Sequence, residues 1–315
     1  MTLTIGVDVG GTKVAGGVVD DTGKVLVQSR RDTPADDVAK TRDVIIELVD
    51  ELAAERTIEA VGIGAAGWID ATRSTVLFAP NLAWRDEPLR EYVSAAVGLP
   101  VIVENDANVA AWAEFRYGAA RAADDSMIMF TIGTGVGGGI VLGGELMRGA
   151  HGIAAELGHM LAVPDGHQCG CGRLGCIEQY ASGSALVRFA RAGARQEPQR
   201  ATALLALAGG EPEAITGHMV TAAAQGGDPV SAEAFAQIGR WLGTSLADMA
   251  QILDPQTLVV GGGVIDAGDL LLGPTRRSYL DALAQRGRLP VAEVLPAELG
   301  NSAGVIGAAD LARRI

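Results

Sequence analysis

Two glycine-rich turns, each between two apolar and β-branched runs, constrain the fold of this chain more than any other feature of its sequence. The first segment runs from Leu3 to Val19 and turns at Gly10-Gly11-Thr12-Lys13, and the second runs from Met127 to Leu142 and turns at Gly133-Thr134-Gly135. Strand-forming residues on both sides of a short glycine turn predict a β-hairpin. Because the same pattern occurs in both halves of the chain, we expect two related domains that face each other.

Neither turn has the context of a common nucleotide-binding motif. Gly6 to Lys13 approaches a P-loop, but the residues after Lys13 predict a strand where a P-loop needs a helix. Gly133-Thr-Gly-Val-Gly-Gly138 matches the dinucleotide-binding pattern, but Gly139 to Leu142 again predicts a strand where that pattern needs a helix. The hypothesis of a nicotinamide-dependent dehydrogenase is therefore supported by this loop alone. We interpret both turns as hairpins whose exposed N–H groups line a phosphate chain, with Asp8 holding Mg²⁺ directly or through water. The alternative is that the glycines only supply the positive φ of tight hairpins.

Strands and helices alternate through the rest of the first half. Residues 3–31 predict a meander of three strands, and Thr33-Pro34 predicts the start of a helix that covers the sheet. The strand at Ala60 to Gly64 precedes another at Val101 to Val103, which runs into Asn105-Asp106 and a helix. This alternation indicates an α/β domain.

The second half is mostly helical. Its clearest helix opens at Asp228-Pro229 and continues to Leu253 with apolar residues at three-to-four spacing. A strand from Thr257 to Val260 runs into three glycines, and the last helix, Ser302 to Arg314, is expected to pack against the first domain.

Length and charge bound the classes of function. The 315 residues exceed the roughly 250 to 300 at which one core stops growing, so two domains are expected, with a ligand in the cleft between them. We predict a smaller domain at 1–117 plus 303–315 and a larger one at 118–302.

A net charge of −13, without a basic patch, argues against nucleic acid as a binding partner. The sequence has no apolar run of about 18 residues and no export signal, which predicts no membrane partner and a cytoplasmic location.

All three cysteines lie in one glycine-rich stretch. Cys169, Cys171 and Cys176 follow His159 by ten residues or more, and three cysteines cannot all pair within one chain. Three thiolates and one imidazole are a closed tetrahedral set, which predicts a structural zinc. His167 is the competing fourth ligand, but it stands only two residues before Cys169 and is less able to complete the tetrahedron. The zinc-binding segment is predicted to span 156–178.

Together these features resemble the ROK family, named for repressors, open reading frames and kinases, and within it the bacterial glucokinases of the actinobacterial type. The resemblance runs over essentially the whole chain. The motifs that carry it are Asp8-Val-Gly-Gly-Thr-Lys13, Glu104-Asn-Asp-Ala-Asn108, the Gly133 to Gly139 loop, Glu156-Leu-Gly-His159, the Cys-x-Cys-x4-Cys run and Val260-Gly-Gly-Gly-Val264.

The resemblance implies an α/β fold of two actin-like, ribonuclease H-like domains with an active-site cleft between them. It implies an enzyme that phosphorylates glucose to glucose 6-phosphate with ATP and Mg²⁺, feeds glycolysis and forms a homodimer or tetramer. The implied general base is Asp106. The implied sugar ligands are Gly67, Asn105, Asp106, Glu156, His159 and Glu178. The implied nucleotide-binding residues are Asp8, Gly10, Gly11, Thr12, Lys13, Gly133, Thr134, Gly135, Gly137 and Gly138 at the phosphates, and Gly261, Gly262 and Gly263 at the adenosine.

Asp106 also has a purely structural interpretation as a helix cap, since Asn and Asp are preferred at such positions. At a helix N-terminus the dipole favours the carboxylate, so we expect a low pKa for Asp106. His159 is expected to ligate zinc with one nitrogen while its other nitrogen meets the sugar.

Three alternatives remain open at this point. A sugar-responsive repressor of this family carries a helix-turn-helix ahead of the kinase-like body, and here the phosphate motif already begins at Asp8. Fructose, N-acetylmannosamine or allose are other acceptors, because acceptor choice depends on the shape of the pocket. Polyphosphate is another donor.

Overall fold

The first sheet begins with the predicted meander. In this computed structural model, which describes residues 2–284 and 290–315, three antiparallel strands follow one another: β1 (Thr4–Val9), β2 (Lys13–Val19) and β3 (Val25–Asp32). Two further strands, β4 (Val61–Ala65) and β8 (Val101–Asn105), extend the sheet in parallel, which gives the order β3-β2-β1-β4-β8. A hairpin followed by parallel strands places the ends of β1, β4 and β8 side by side at one edge.

Four helices accompany this sheet, and a small three-stranded sheet is inserted after β4. The helices are α1 (Val38–Ala53), α2 (Leu89–Val97), α3 (Asp106–Arg116) and α10 (Ala303–Ala312). The small sheet consists of β5 (Trp68–Ile69), β6 (Val76–Phe78) and β7 (Arg85–Glu87). The buried core of the first sheet contains Ile5, Val7, Ile45, Leu48 and Ile63.

The last helix packs directly on the first sheet, as predicted. A Cβ on Gly6 would lie 1.8 Å from the carbonyl oxygen of Val305, and one on Gly62 would lie 1.9 Å from that of Ala308. Only glycine permits this approach of two backbones. The C-terminal helix therefore belongs to the core around the first hairpin.

The first helix starts later than predicted. The prediction that Thr33-Pro34 begins it is wrong, because α1 begins at Val38 and the side chain of Asp37 caps it by accepting from Lys40 N. Thr33 instead bonds to the first hairpin, with its hydroxyl donating to the carbonyl of Gly10 at 2.8 Å. The hydroxyl of Thr33, which the sequence pattern assigns to a helix cap, therefore bonds to a carbonyl of the hairpin instead.

The second sheet repeats the strand order of the first. Its strands are β9 (Met127–Ile132), β10 (Val136–Leu142), β11 (Glu145–Leu146), β12 (Thr257–Gly261) and β13 (Glu293–Pro296), arranged β11-β10-β9-β12-β13. The predicted similarity of the two halves is confirmed in this strand order. Strand β10 begins at Val136, before the predicted start at Gly139, since the turn closes within Gly133 to Gly135.

Among the described residues, six α-helices lie between positions 178 and 283. They are α4 (Glu178–Ala181), α5 (Gly183–Gln196), α6 (Thr202–Leu207), α7 (Gly217–Gln225), α8 (Pro229–Leu253) and α9 (Asp269–Leu283). The prediction of α8 is confirmed, including Asp228 as its N-cap. Gly239 and Gly243 of α8 let α9 approach closely, because a Cβ at Gly243 would lie 2.3 Å from Thr275 O.

The chain divides into two compact units. The first contains Met1–Met127, Gly139–Ala155 and Glu298–Ile315, and the second contains Ile128–Gly138 and Glu156–Ala297. These bounds differ from the predicted 1–117 plus 303–315 and 118–302 chiefly in giving residues 139–155 to the first unit. Within residues 2–284 and 290–315, none of the helices has both the length and the apolar character that crossing a bilayer requires.

Candidate active site and metal centre

The turn of the first hairpin holds its carbonyls in place and leaves amides available. Gly10 N donates to Lys13 O at 2.9 Å, and Thr33 donates to Gly10 O and, through its own amide, to Thr12 O. Within the described part of the chain, the amides of Gly11 and Thr12 donate no hydrogen bond to another protein group. A turn with bonded carbonyls and available N–H groups suits an anion.

Asp8 lies at the end of β1 and packs against the beginning of α10. A Cβ on Gly304 would lie 2.5 Å from Asp8 Oδ2, so this carboxylate requires glycine at the first turn of the helix. Burial, with a smaller effect from the negative charge of Asp106, raises the pKa of Asp8 to about 7. Two carboxylates in such surroundings would be stabilised by a divalent cation.

Asn105 and Asp106 divide the roles at the start of α3. Asn105 is the N-cap: its Oδ1 accepts from Asn108 N at 3.0 Å, while its Nδ2 donates to Gly67 O at 3.0 Å and to Asp106 Oδ1 at 3.2 Å. Asp106 is the first helical residue, and its Oδ1 also accepts from Ala107 N. The cap therefore belongs to Asn105, and the structural interpretation of Asp106 as the N-cap is wrong.

The expected low pKa of Asp106 is also wrong. Desolvation by the surrounding protein atoms raises the pKa of this half-buried carboxyl, and it outweighs the opposing hydrogen bonds from the amides of Ala107 and of Asp106 itself. The helix N-terminus is thus the weaker influence. A raised pKa makes Asp106 a better proton acceptor near neutral pH than an ordinary aspartate.

Gly67 joins these residues through its backbone. Its carbonyl accepts from Asn105 Nδ2, and a Cβ at this position would lie 2.4 Å from Phe78 O. Any other residue would push Gly67 away from β6. The first unit therefore brings three of the predicted sugar ligands together: Gly67, Asn105 and Asp106.

Glu104 is the residue of this region to which the sequence assigned no role. It is 1% exposed, and Arg73 and Arg148 both approach its carboxylate. The sequence feature that could have pointed to Glu104 is that an acidic residue directly continues the apolar strand Val101 to Val103. Its partners come from distant segments, so the pairing was not visible there.

The second hairpin turn is held in the same way as the first. Gly133 N donates to Gly135 O at 3.0 Å, and the beginning of α5 takes the carbonyls of the turn. Gly183 N donates to Gly133 O at 2.8 Å, and the hydroxyl of Ser184 donates to Thr134 O at 2.7 Å. The space where a Cβ of Gly133 would stand is free of atoms within 4 Å, so the turn has an open side.

The glycines after β12 pack against the same hairpin. Gly262 has a φ of 85°, and a Cβ there would lie 2.5 Å from Ile132 N, one residue before the turn. Gly261 approaches Met129 just as closely, whereas the corresponding space at Gly263 is open. Gly261 and Gly262 thus allow the end of β12 to approach β9 closely.

Glu178 connects this hairpin to the cysteine cluster. Its Oε2 accepts from Val136 N at 3.2 Å, and a Cβ on Gly135 would lie 2.3 Å from the same oxygen. Its Oε1 lies 3.4 Å from Cys169 Sγ. Glycine at position 135 is needed for this contact, whatever else the turn binds.

The structure brings together the four predicted metal ligands. The ligand atoms of His159, Cys169, Cys171 and Cys176 all lie within 4.8 Å of one another. Cys169 Sγ is 3.6 Å from His159 Nδ1, and Cys171 Sγ is 3.7 Å from Cys176 Sγ. Tetrahedral Zn²⁺ with Zn–S bonds of about 2.3 Å requires sulfurs about 3.8 Å apart. The donor set and its spacing therefore fit zinc.

The two histidines of this segment have different surroundings. His159 directs Nδ1 towards Cys169, and its Nε2 lies 3.7 Å from Glu156 Oε2. The ring of His167 instead packs against Tyr180, with centroids 5.6 Å apart. The remaining predicted sugar ligands all lie in the second unit: His159 and Glu178 contact Cys169, and Glu156 lies next to His159.

Local backbone geometry explains why this segment wraps around a small volume. Gly175 has a φ of 78°, and a Cβ there would lie 1.7 Å from Val163 O.

Burial raises the pKa of the Cys169 thiol to about 12, so a nearby cation is needed for this group to be a thiolate at neutral pH.

Comparison with known proteins shows the family to which this chain belongs. The sequence profile of the ROK family matches residues 4–315, and the chain belongs to that family. Within it, the chain is 52% identical over 313 residues to a glucokinase of Streptomyces coelicolor, covering 99% of this chain and 98% of the relative.

Solved structures agree with that assignment. The crystal structure of a ROK family glucokinase from Streptomyces griseus in complex with glucose and AMPPNP is similar with a TM-score of 0.89 and 51% identity, covering 99% of this chain and 100% of that one. A ROK hexokinase from Thermus thermophilus gives a TM-score of 0.81 and 34% identity, covering 99% and 98%. The predicted family and the two-domain actin-like α/β fold are confirmed.

Proposed function

We propose that this chain is a glucokinase that transfers the γ-phosphoryl group of ATP to the 6-hydroxyl of glucose. The observation that carries the proposal is the Asn105–Asp106 pair at the start of α3, where the raised pKa of Asp106 suits a proton acceptor. The similarity to a Streptomyces griseus enzyme crystallised with glucose and AMPPNP supports both substrates.

In this mechanism, the sugar hydroxyl donates a hydrogen bond to the Asp106 carboxylate. As the new O–P bond forms and the bond from the γ-phosphorus to the β,γ-bridging oxygen breaks, the hydroxyl proton passes to Asp106 and ADP leaves. Phosphoryl transfer has a loose transition state, so positioning and charge stabilisation contribute most. Asn105 holds Asp106 through its Nδ2 and leaves the second carboxylate oxygen to the sugar.

The other predicted residues complete the proposal. The amides of the first hairpin turn and of the second would bind the phosphates, and Gly263 would lie towards the adenosine. Mg²⁺, when bound, would neutralise phosphate charge, and Asp8 would hold it directly or through water. Glu156, His159 and Glu178 would contribute sugar contacts.

The four clustered ligands, His159, Cys169, Cys171 and Cys176, would hold one structural zinc. With all four positions filled by protein, the ion would stabilise the 156–178 segment and take no part in the reaction. We further propose a homodimer or tetramer that acts in the cytoplasm and supplies glycolysis.

A coupled assay over a panel of hexoses and donors tests this function. We expect glucose to give the highest kcat/KM among glucose, fructose, allose and N-acetylmannosamine, and ATP to be preferred over polyphosphate. Purified protein that forms no ADP with Mg²⁺ and any of these sugars would contradict the proposal. A higher kcat/KM for another hexose would correct only the acceptor.

A further inference from the structure

Glu104, the last residue before Asn105 in β8, is a buried carboxylate outside the residues assigned to the reaction. It is 1% exposed. A carboxylate is costly to bury unless other groups pair with it. The groups that pair with the Glu104 carboxylate therefore indicate its role in the structure.

One oxygen of Glu104 is held by two arginines. Arg73 Nε donates to Oε2 at 3.0 Å, and Arg148 Nε lies 2.6 Å from the same oxygen. Arg148 also donates to the carbonyls of Asp70 and Ala71. Two segments that are distant in the sequence thus converge on Oε2.

Arg73 is itself held rigidly. It has a φ of 56°, a region that non-glycine residues seldom adopt, and its carbonyl accepts from Val103 N at 3.0 Å. The turn that carries Arg73 is therefore attached to β8 by backbone as well as by side chain.

The other oxygen of Glu104 faces the start of α3. Oε1 accepts from Asn105 N at 3.0 Å and from Asn108 Nδ2 at 3.2 Å. Asn105 in turn holds Gly67 O and Asp106 Oδ1 with its amide nitrogen. Each step from Glu104 to Asp106 is a hydrogen bond between neighbouring groups.

We propose that Glu104, fixed by Arg73 and Arg148, is a positioning residue that sets the orientation of Asn105 and, through it, of the Asp106 carboxylate. This inference rests on the proposed function, in which Asp106 accepts the proton of the sugar. Glu104 does not touch the sugar in this scheme. It acts by holding Asn105, and a misplacement of about 1 Å at a reacting group can cost about 10²-fold in rate.

Glu104→Gln is the first variant to measure. The amide keeps the size of the side chain but presents two N–H donors among the donors of Arg73, Arg148 and Asn105. We expect kcat for glucose phosphorylation to fall by about 10-fold or more. We also expect a higher dissociation constant for glucose, while KM for MgATP stays within about twofold of the wild type, because the network lies on the acceptor side.

Glu87→Gln is the matched control. Glu87 is also a buried carboxylate, 7% exposed, and its Oε1 lies 3.5 Å from Arg42 Nη1. Within residues 2–284 and 290–315, no hydrogen bond or ion pair joins it to Asn105 or Asp106. We expect it to lower the melting temperature without changing kcat. If Glu87→Gln lowers kcat as much as Glu104→Gln at equal loss of stability, the effect is structural and the proposal is wrong.

Arg148→Lys covers the case in which Glu104→Gln does not fold. Lysine keeps the charge beside Glu104 but cannot hold both carbonyls of the 70–71 turn. We expect a smaller fall in kcat, of about threefold, with unchanged KM for MgATP. A kcat equal to that of the wild type in either folded variant would overturn the inference.

The wild-type enzyme separates this inference from the proposed function. If wild-type protein phosphorylates no hexose, the proposed function fails first. The positioning role then depends on a crystal structure of Glu104→Gln. A shift of the Asn105 side chain from Gly67 O would support it, and an unchanged contact would contradict it.

Discussion

Glu178 touches the thiol of Cys169 with one carboxylate oxygen, Oε1, at a distance of 3.4 Å. Its other oxygen accepts from the amide of Val136 in the second hairpin. One side chain thus joins the candidate metal cluster to the candidate phosphate turn. A change in the cluster should reach the turn through this contact.

We predict that Glu178→Gln weakens ATP binding while keeping the metal. The amide loses a charge-assisted acceptor for Val136 N, and a hydrogen-bond loss of about 1 kcal/mol corresponds to about fivefold in affinity. KM for MgATP should rise by about that factor, and the metal content should stay at the wild-type value. Steady-state kinetics and elemental analysis on the same preparation check both. Unchanged KM values for ATP and glucose would remove Glu178 from both roles.

We predict one zinc per chain, and the two histidines give a matched test. His159→Asn removes a ligand, so the metal content should fall well below one equivalent and the melting temperature should drop. His167→Asn alters a ring that packs on Tyr180 and should retain the metal. Elemental analysis decides the matter. Loss of zinc in His167→Asn alone would make His167 the fourth ligand.

We predict that Asp106→Asn preserves folding and glucose binding but lowers kcat by at least about 10². An amide oxygen can still accept from Ala107 N and Asn105 Nδ2, so the start of α3 should stay intact, but an amide cannot take a proton from the sugar. Coupled kinetics and calorimetric glucose titration measure the two effects. Asp21→Asn, on the exposed turn before β3, is the control, and near-normal turnover in Asp106→Asn would exclude it as the base.

We predict that Asp8 destabilises the metal-free and nucleotide-free protein as pH rises. Its pKa is raised by burial from 3.8 to about 7 in the folded state, so between these values the folded protein holds a proton that the unfolded chain has released. The contribution of this group to the free energy of unfolding therefore falls as pH increases through that window. Above pH 7 the loss is complete.

Asp8→Asn tests this dependence, because asparagine stays neutral at every pH. The melting temperature of the variant minus that of the wild type should be larger at pH 8 than at pH 4.5, in buffer containing a chelator. Asp50→Asn, at an exposed position of α1, should show no such trend. An equal difference at both pH values would show that Asp8 ionises in the folded protein as it does in the unfolded chain.

Local patterns predicted the elements that position the site. The three-strand meander, the strand Met127–Ile132 and the helix after Asp228-Pro229 are present as predicted, because alternation, glycine turns and capping residues act over a few neighbours. The start of α1 was not predictable in the same way. Thr33 is a good cap by type, and only the position of Gly10 in space takes its hydroxyl elsewhere.

The same limit applies to electrostatics. Position in the helix predicted a low pKa for Asp106, whereas desolvation by groups from other segments raises it. Likewise, Glu104 was visible as part of a motif, but Arg73 and Arg148 lie 31 and 44 residues away along the chain and meet it only after folding.

The family, the fold class and the grouping of three cysteines with a histidine could be predicted from the amino-acid sequence, because these depend on residue types at short spacing. Folding in three dimensions is what gives the Thr33 hydroxyl to the carbonyl of Gly10, joins the cluster to the hairpin through Glu178 and raises the pKa values of Asp8 and Asp106. These features depend on burial and on contacts between segments far apart in the chain. Their energies are set by distance in space, which no local pattern encodes.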